Sequence, residues 1–348
     1  MGSAAVAQTA SKSLQDLPVS GPKPSIEPLR ALVAADMDAV NEQIMARMAS
    51  DVALIPQLAS HLIAAGGKRI RPLLTLGSAR LCGYGGEKAV LLAACVEFIH
   101  TATLLHDDVV DESDRRRGNA TANVLWGNQA SVLVGDFLFT RSFQLMVETG
   151  SLEVLRILCG ASAEIAEGEV LQLVIANDMD AGEAEYLKVI KAKTAALFAA
   201  ACRVGAVIAD RPVAEAQALD DFGHNLGIAF QLVDDALDYA SDGETLGKNT
   251  GDDFREGKIT LPVLLAFSKG SEAEKTFWRR VIERPEEQMA EDWPQALAYL
   301  ERHGAIQETM ARARLYAQKA RQSLAPFAAG AMRDAMAEAI DFAVERAR

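Results

Sequence analysis

The chain has 348 residues, 50% of them hydrophobic and 24% charged, a globular composition long enough to bury a large core. Its formal net charge of −13 excludes nucleic acid and anionic membrane surfaces as electrostatic partners, and it means that an anionic ligand must be held through cations. Aromatic residues are scarce at 6% while alanine and leucine are plentiful, a balance that favours helices.

Residues 1–25, rich in Ala, Ser, Gln and Pro, are expected to form a flexible tail, and residues 26–348 one helical domain. Leu29, Leu32, Val33, Met37 and Val40 recur at 3.6-residue spacing, the stripe of one amphipathic helix. Similar patterns predict helices over about 87–112, 129–147, 151–175, 183–208 and 213–240, and again through the last hundred residues. Glycine-rich breaks fall at 83–86, 118–127 and 242–257, and no alternating strand or Asn-Gly hairpin stands out, so the predicted class is all-α. The most apolar segment, 195–209, is interrupted by Arg203 and falls short of a membrane span, and no secretory leader is expected. Cys82, Cys95, Cys159 and Cys202 are scattered through apolar stretches without a CxxC pair, reading as buried, reduced thiols of a cytoplasmic protein.

Two segments, 90–110 and 222–239, are apolar on nearly every face and belong in the centre of a bundle. Each ends in carboxylates: Asp107, Asp108 and Asp111 in LLHDDVVDE, and Asp234, Asp235 and Asp238 in FQLVDDALDY. Residues four apart share a helix face, so Asp107 projects with Asp111, and Asp234 with Asp238. Such like-charge pairs repel, and burying them uncompensated costs several kcal/mol each. Hard divalent cations take carboxylate oxygens, and Mg²⁺ combines one or two of them with water and phosphate oxygens. The economical reading is two clusters facing each other across a cavity, holding Mg²⁺ around a diphosphate. A di-iron bundle site would need two Glu-x-x-His pairs, and only Glu97 with His100 is present.

The minority basic residues accompany these clusters. Lys68, Arg69 and Arg71 follow a Gly-Gly turn in GGKRIRP, at a helix start expected near Pro72, and Arg115, Arg116 and Arg117 follow the first cluster. Lys193 and Thr194 sit in an apolar helix, and Lys248 and Lys258 flank the loop after the second cluster. Together they suggest two anionic substrates, one seated through metal and one through direct basic contacts.

GGKRIRP, LLHDDVVDESDRRRG, the Lys193–Ala195 triplet KTA, FQLVDDALDY and GDDFREGKITLP resemble, in order over about residues 60–265, the five signature regions of trans-isoprenyl diphosphate synthases. That resemblance implies an all-α homodimer, each subunit a single large helical bundle around a central cavity. It implies Asp107, Asp111 and Asp234 as ligands to as many as three Mg²⁺ ions, with Asp108, Asp235 and Asp238 in support. It implies Lys68, Arg71, His100 and Arg117 around isopentenyl diphosphate, with Arg69 beside them. Arg116, Lys193, Thr194, Gln231, Lys248 and Lys258 would hold the diphosphate of farnesyl diphosphate or a similar allylic primer. Gln231 lies three residues before Asp234 on the same helical face, which fits this role independently. The implied chemistry is ionisation of the allylic diphosphate, attack by isopentenyl diphosphate, and proton loss.

In this family, residues just upstream of the first DDxxD set product length. Here Thr103, Ala102 and Ile99 lie four, five and eight residues before Asp107, with a methyl group at Ala102 where an aromatic would form a floor. An open tunnel and a C40–C50 product are therefore expected, similar to bacterial octaprenyl and decaprenyl synthases that make quinone side chains, with transient membrane contact for product release. A terpene cyclase usually lacks GGKRIRP and the second DDxxD, and a regulatory subunit usually loses aspartates; all these features are intact.

Overall fold

The computed structural model describes residues 23–64, 67–116, 118–240 and 251–345. The predicted first stripe forms two helices, α1 (Glu27–Leu32) and α2 (Ala34–Met48), broken at Val33, whose φ of −122° leaves the helical region; the break turns Leu32 outward. There follow α3 (Leu54–Ala64), α4 (Ile70–Leu81) and the long α5 (Lys88–Val110). A short antiparallel hairpin that the sequence did not announce, β1 (Arg115–Arg116) with β2 (Asn119–Ala120), pairs Arg115 with Ala120 and Arg116 with Asn119. Two-residue strands are too short to show a period-two pattern.

Helices α6 (Ala122–Trp126), α7 (Asn128–Glu148) and α8 (Leu152–Ile175) come next. The single helix expected over 183–208 is α9 (Gly182–Ile190), a π-helical turn (Lys191–Ala195) and α10 (Ala196–Ile208). The chain continues through α11 (Val213–Ala240), α12 (Asp252–Arg255), α13 (Leu261–Lys269) and α14 (Glu272–Glu283). It closes with α15 (Asp292–Arg302), α16 (Ala305–Ser323) and α17 (Ala331–Glu345). Ser25, placed in the tail by sequence, accepts the Glu27 backbone N–H at 3.1 Å just before α1 and donates its own backbone N–H to Glu338 of α17 at 3.1 Å. Residues 1–22 lie outside the described residues.

The centre of the bundle is α5, α10 and α11, with α10 buried along almost its whole length. Helix α10 packs on α4, α8 and α11, α5 on α7 and α4, and α11 on α16. Close approach of α10 and α11 is possible because α11 presents glycines: a Cβ at Gly223 would lie 2.2 Å from the Phe198 carbonyl oxygen, which is backbone and cannot swing away. Gly223→Ala is expected to lower stability by about 1–3 kcal/mol through overpacking, read as a lower thermal midpoint; an unchanged midpoint would mean that the two helices can slide apart without cost.

Among the described residues two helices, α5 and α7, are long and apolar enough to cross a bilayer, where the sequence led us to expect no membrane span. Most of α5 is packed inside the bundle, while α7 exposes Leu133 and Val147. All four cysteines are free; Cys95 and Cys202 are buried as expected, but Cys82 and Cys159 are half-buried because they lie near helix ends and flanks. Burial pushes the Cys202 thiol up to about 12 and the Cys82 thiol to about 11, leaving both unreactive near neutral pH.

Candidate active site

The two aspartate clusters sit at the ends of α5 and α11, and two lysines pair with the first of them. Lys193 Nζ is 3.6 Å from Asp107 and 2.6 Å from Glu169 of α8. Lys258 Nζ is 3.4 Å from Asp111 and 2.5 Å from Glu256, and its backbone N–H donates to the carbonyl of Asp253. Asp253 in turn donates its backbone N–H to Asp238 Oδ2 at 3.1 Å, closing the bridge to the second cluster. The outer aspartates of each motif thus face the same polar space, as the i, i+4 spacing requires.

The middle aspartates do not face it. Asp108 is buried and accepts from Arg116 Nε at 2.8 Å, and Asn123 closes over the backbone carbonyl of the same residue. Asp235 is buried and accepts from Gln231 Nε2 at 2.8 Å and from the Tyr186 hydroxyl. One helical step, about 100° of rotation, separates them from their neighbours and turns each into the protein.

Electrostatics mark the same groups. Burial, with Asp111 adding to it, raises the Asp107 carboxyl, although Lys193 and Arg116 pull the other way. Burial and the Asp107 charge push Glu169 up to about 7, and burial, with the Asp234 and Asp238 charges adding to it, outweighs two hydrogen bonds to bring Asp235 to about 6. Burial works against the charge of Lys193, yet Asp107 and Glu169 prevail and hold it above the ordinary lysine range. Asp253 is driven well up by burial and by Asp238. These carboxylates crowd together with too few cations, a deficit that a divalent ion would relieve.

Among the described residues no three His, Cys, Asp or Glu side chains converge tightly enough to hold an ion by themselves. The donors on the facing surfaces are hard carboxylate oxygens from opposite helices, which suits Mg²⁺ completed by water and a ligand's phosphate oxygens.

Of the other basic residues, Arg69 caps α4 in the left-handed region (φ 50°) and forms an ion pair with the buried Glu97 of α5. Helix α4 begins at Ile70, two residues before the expected Pro72, because Arg69 takes the cap. Lys68 lies 4.7 Å above the Phe342 ring, and Arg71 lies 4.4 Å above the Phe198 ring. His100 lines a cavity with Arg69, Glu97, Asp108 and Arg116. Thr194 donates to Gln231 Oε1 at 2.9 Å. Arg117 and Lys248 lie outside the described residues. Ala102 and Ile99 expose no surface, so the tunnel expected along their face is closed in this structure by apolar packing; Thr103 is half-buried, its hydroxyl on the His100 carbonyl at 2.8 Å.

Sequence reasoning missed Glu169, Tyr186 and Asp253. Only Asp253, inside the polar GDDFREGK loop, carried a readable signal. Glu169 and Tyr186 sit on helices whose other charged residues are not buried.

A family profile described as "Polyprenyl synthetase" matches residues 52–300, which include every segment bearing these side chains. The chain belongs to the polyprenyl synthetase family. It is a prenyl transferase by that membership. An octaprenyl diphosphate synthase of Escherichia coli (strain K12) is 53% identical over 260 residues, 75% of this chain and 80% of that one. A crystal structure of a polyprenyl synthase from Caulobacter crescentus CB15, complexed with calcium and isoprenyl diphosphate, superposes with a TM-score of 0.90 at 55% identity, covering 94% of this chain and 100% of that one. A decaprenyl diphosphate synthase structure from Rhodobacter capsulatus gives a TM-score of 0.89 at 53% identity, covering 93% of this chain and 100% of that one. Likeness to polyprenyl synthetases over nearly the whole chain accounts for the all-α fold.

Proposed function

We propose that this polyprenyl synthetase is a long-chain all-trans polyprenyl diphosphate synthase, condensing isopentenyl diphosphate with a farnesyl-type allylic diphosphate to C40–C50 products suited to quinone side chains. The observation that carries the reading is the outer-aspartate face of the first cluster, paired with Lys193 and Lys258, and its link from Lys258 through Asp253 to Asp238 of the second. Asp107, Asp111 and Asp234 would hold up to three Mg²⁺ ions, with Asp238 beside them. Bound there, magnesium supplies neutralisation of the departing pyrophosphate. Lys193, Lys258, Lys248, Arg116, Thr194 and Gln231 seat the allylic diphosphate, and Lys68, Arg71, His100 and Arg117 seat isopentenyl diphosphate, with Arg69 braced on Glu97 to hold the GGKRIRP loop. The allylic C–O bond breaks with its electron pair leaving on pyrophosphate. The isopentenyl double bond then attacks the cation, and the new cation loses a proton to the released pyrophosphate. The apolar walls of α5, α10 and α11 keep water from the cation.

Exposed Leu133 and Val147 on α7 and Val170 and Val174 on α8 support a homodimer, since apolar surface of this kind is normally covered. Free, unreactive thiols suit the cytoplasm, with brief membrane contact at product release.

Mass spectrometry of the products from farnesyl diphosphate, isopentenyl diphosphate and Mg²⁺ is expected to show a C40–C50 diphosphate that EDTA abolishes; a short product, or none, would overturn the reading. Because burial and the Asp107 charge hold Glu169 up at about 7, it takes up a proton between pH 8 and pH 6, and half-saturating Mg²⁺ should rise by roughly tenfold over that range.

A further inference from the structure

Four side chains on three elements form one directed hydrogen-bond chain. Tyr186 of α9, almost wholly buried, donates its hydroxyl to Asp235 Oδ2. Gln231 Nε2 donates to Asp235 Oδ1 at 2.8 Å, and Thr194 Oγ1, on the π-helical turn, donates to Gln231 Oε1 at 2.9 Å. A carboxylate can only accept, so Asp235 draws the NH₂ end of the Gln231 amide toward itself. That choice turns the Gln231 carbonyl to Thr194 and leaves the second N–H of the same amide for an anionic ligand. Both oxygens of Asp235 are occupied by protein donors, although its two neighbours in the motif lie on the polar face.

We infer that Tyr186 and Asp235 are positioning residues for the allylic-diphosphate end of the site: anchored from behind, they fix the orientation of the Gln231 amide and the register in which Asp234 and Asp238 are presented. The inference rests on the proposed synthase reading. It has a physical reason beyond packing, because apolar side chains would fill the same volume without the cost of desolvating a carboxylate. It also explains why the second motif begins with two adjacent aspartates: one faces the ligand and the other holds the orienting chain. Isopentenyl diphosphate does not depend on this chain, since Lys68, Arg71 and His100 lie on α5, on α4 and on the segment leading into it.

The test is Tyr186→Phe, which removes one hydroxyl and keeps the ring. The expected result is a loss of about tenfold in kcat/KM for farnesyl diphosphate with the KM for isopentenyl diphosphate within about twofold of the parent. Gln231→Met should give the same split, and the double variant should be no worse than the poorer single one, as expected of residues acting as a unit. A loss that falls equally on both substrates, an unchanged Tyr186→Phe enzyme, or additive losses would overturn the inference. Parent enzyme that fails to elongate would instead remove the synthase reading itself, so the two failures are distinguishable.

Discussion

Asp107→Ala is expected to lower kcat for condensation by at least about three orders of magnitude while leaving the fold intact. Each tenfold corresponds to about 1.4 kcal/mol of barrier, so the expected loss is about 4 kcal/mol, the scale of removing one well-placed electrostatic stabiliser from a transition state. Two effects of the substitution oppose each other in stability. Alanine loses the 3.6 Å pairing to Lys193, but it also removes a carboxylate that burial and Asp111 penalise, and Lys193 keeps Glu169 at 2.6 Å. These roughly cancel, so the thermal midpoint should move little and the missing activity can be assigned to chemistry. Steady-state condensation assays at saturating Mg²⁺, alongside thermal melts, make the comparison. Turnover within about tenfold of the parent would remove Asp107 from the metal site.

Ala102→Phe should convert a long-chain product distribution into a short one. Ala102 lies five residues before Asp107, about 7.5 Å along the helix axis at 1.5 Å per residue, so a ring there would stop a chain soon after it leaves the diphosphate site. The parent position is fully packed, which means that a growing chain must part apolar neighbours on its way down α5. Parting apolar contacts is compensated by the apolar surface of the chain itself; displacing a phenyl ring wedged among them is not. Overpacking by the ring should cost about 1–3 kcal/mol of stability, a price the product shift must be measured against by checking that the variant still melts cooperatively. An unchanged product ladder would place the floor elsewhere on the wall.

The two central helices and their aspartates were legible because apolar residues on every face followed by clustered carboxylates have few explanations. Lys193 and Thr194 were legible for a similar reason, as polar side chains stranded on a greasy helix, and Gln231 through the family resemblance and its place three residues before Asp234. What stayed hidden depends on partners remote in sequence. Asp235 turns inward because Tyr186 waits 49 residues upstream, and Arg69 folds back because Glu97 waits 28 residues downstream. The π-helical turn has no compositional mark, since wider winding at Lys191–Ala195 is imposed by neighbours rather than by propensity. Glu169 was invisible because only the fold brings α8 beside that turn: a Cβ at Gly168 would sit 2.6 Å from that of Ala192.

That turn also bears on how the gene can change. A π turn holds one more residue than the α-helical winding on either side of it, so a single-codon deletion between residues 191 and 195 would let the segment rewind as α-helix with α10 keeping its phase. Lys193 and Thr194, inside the turn, would be displaced from their partners while the buried face of α10 stayed on α4 and α11. Length change at this turn is therefore opposed by the loss of the Lys193 and Thr194 contacts rather than by the packing of α10.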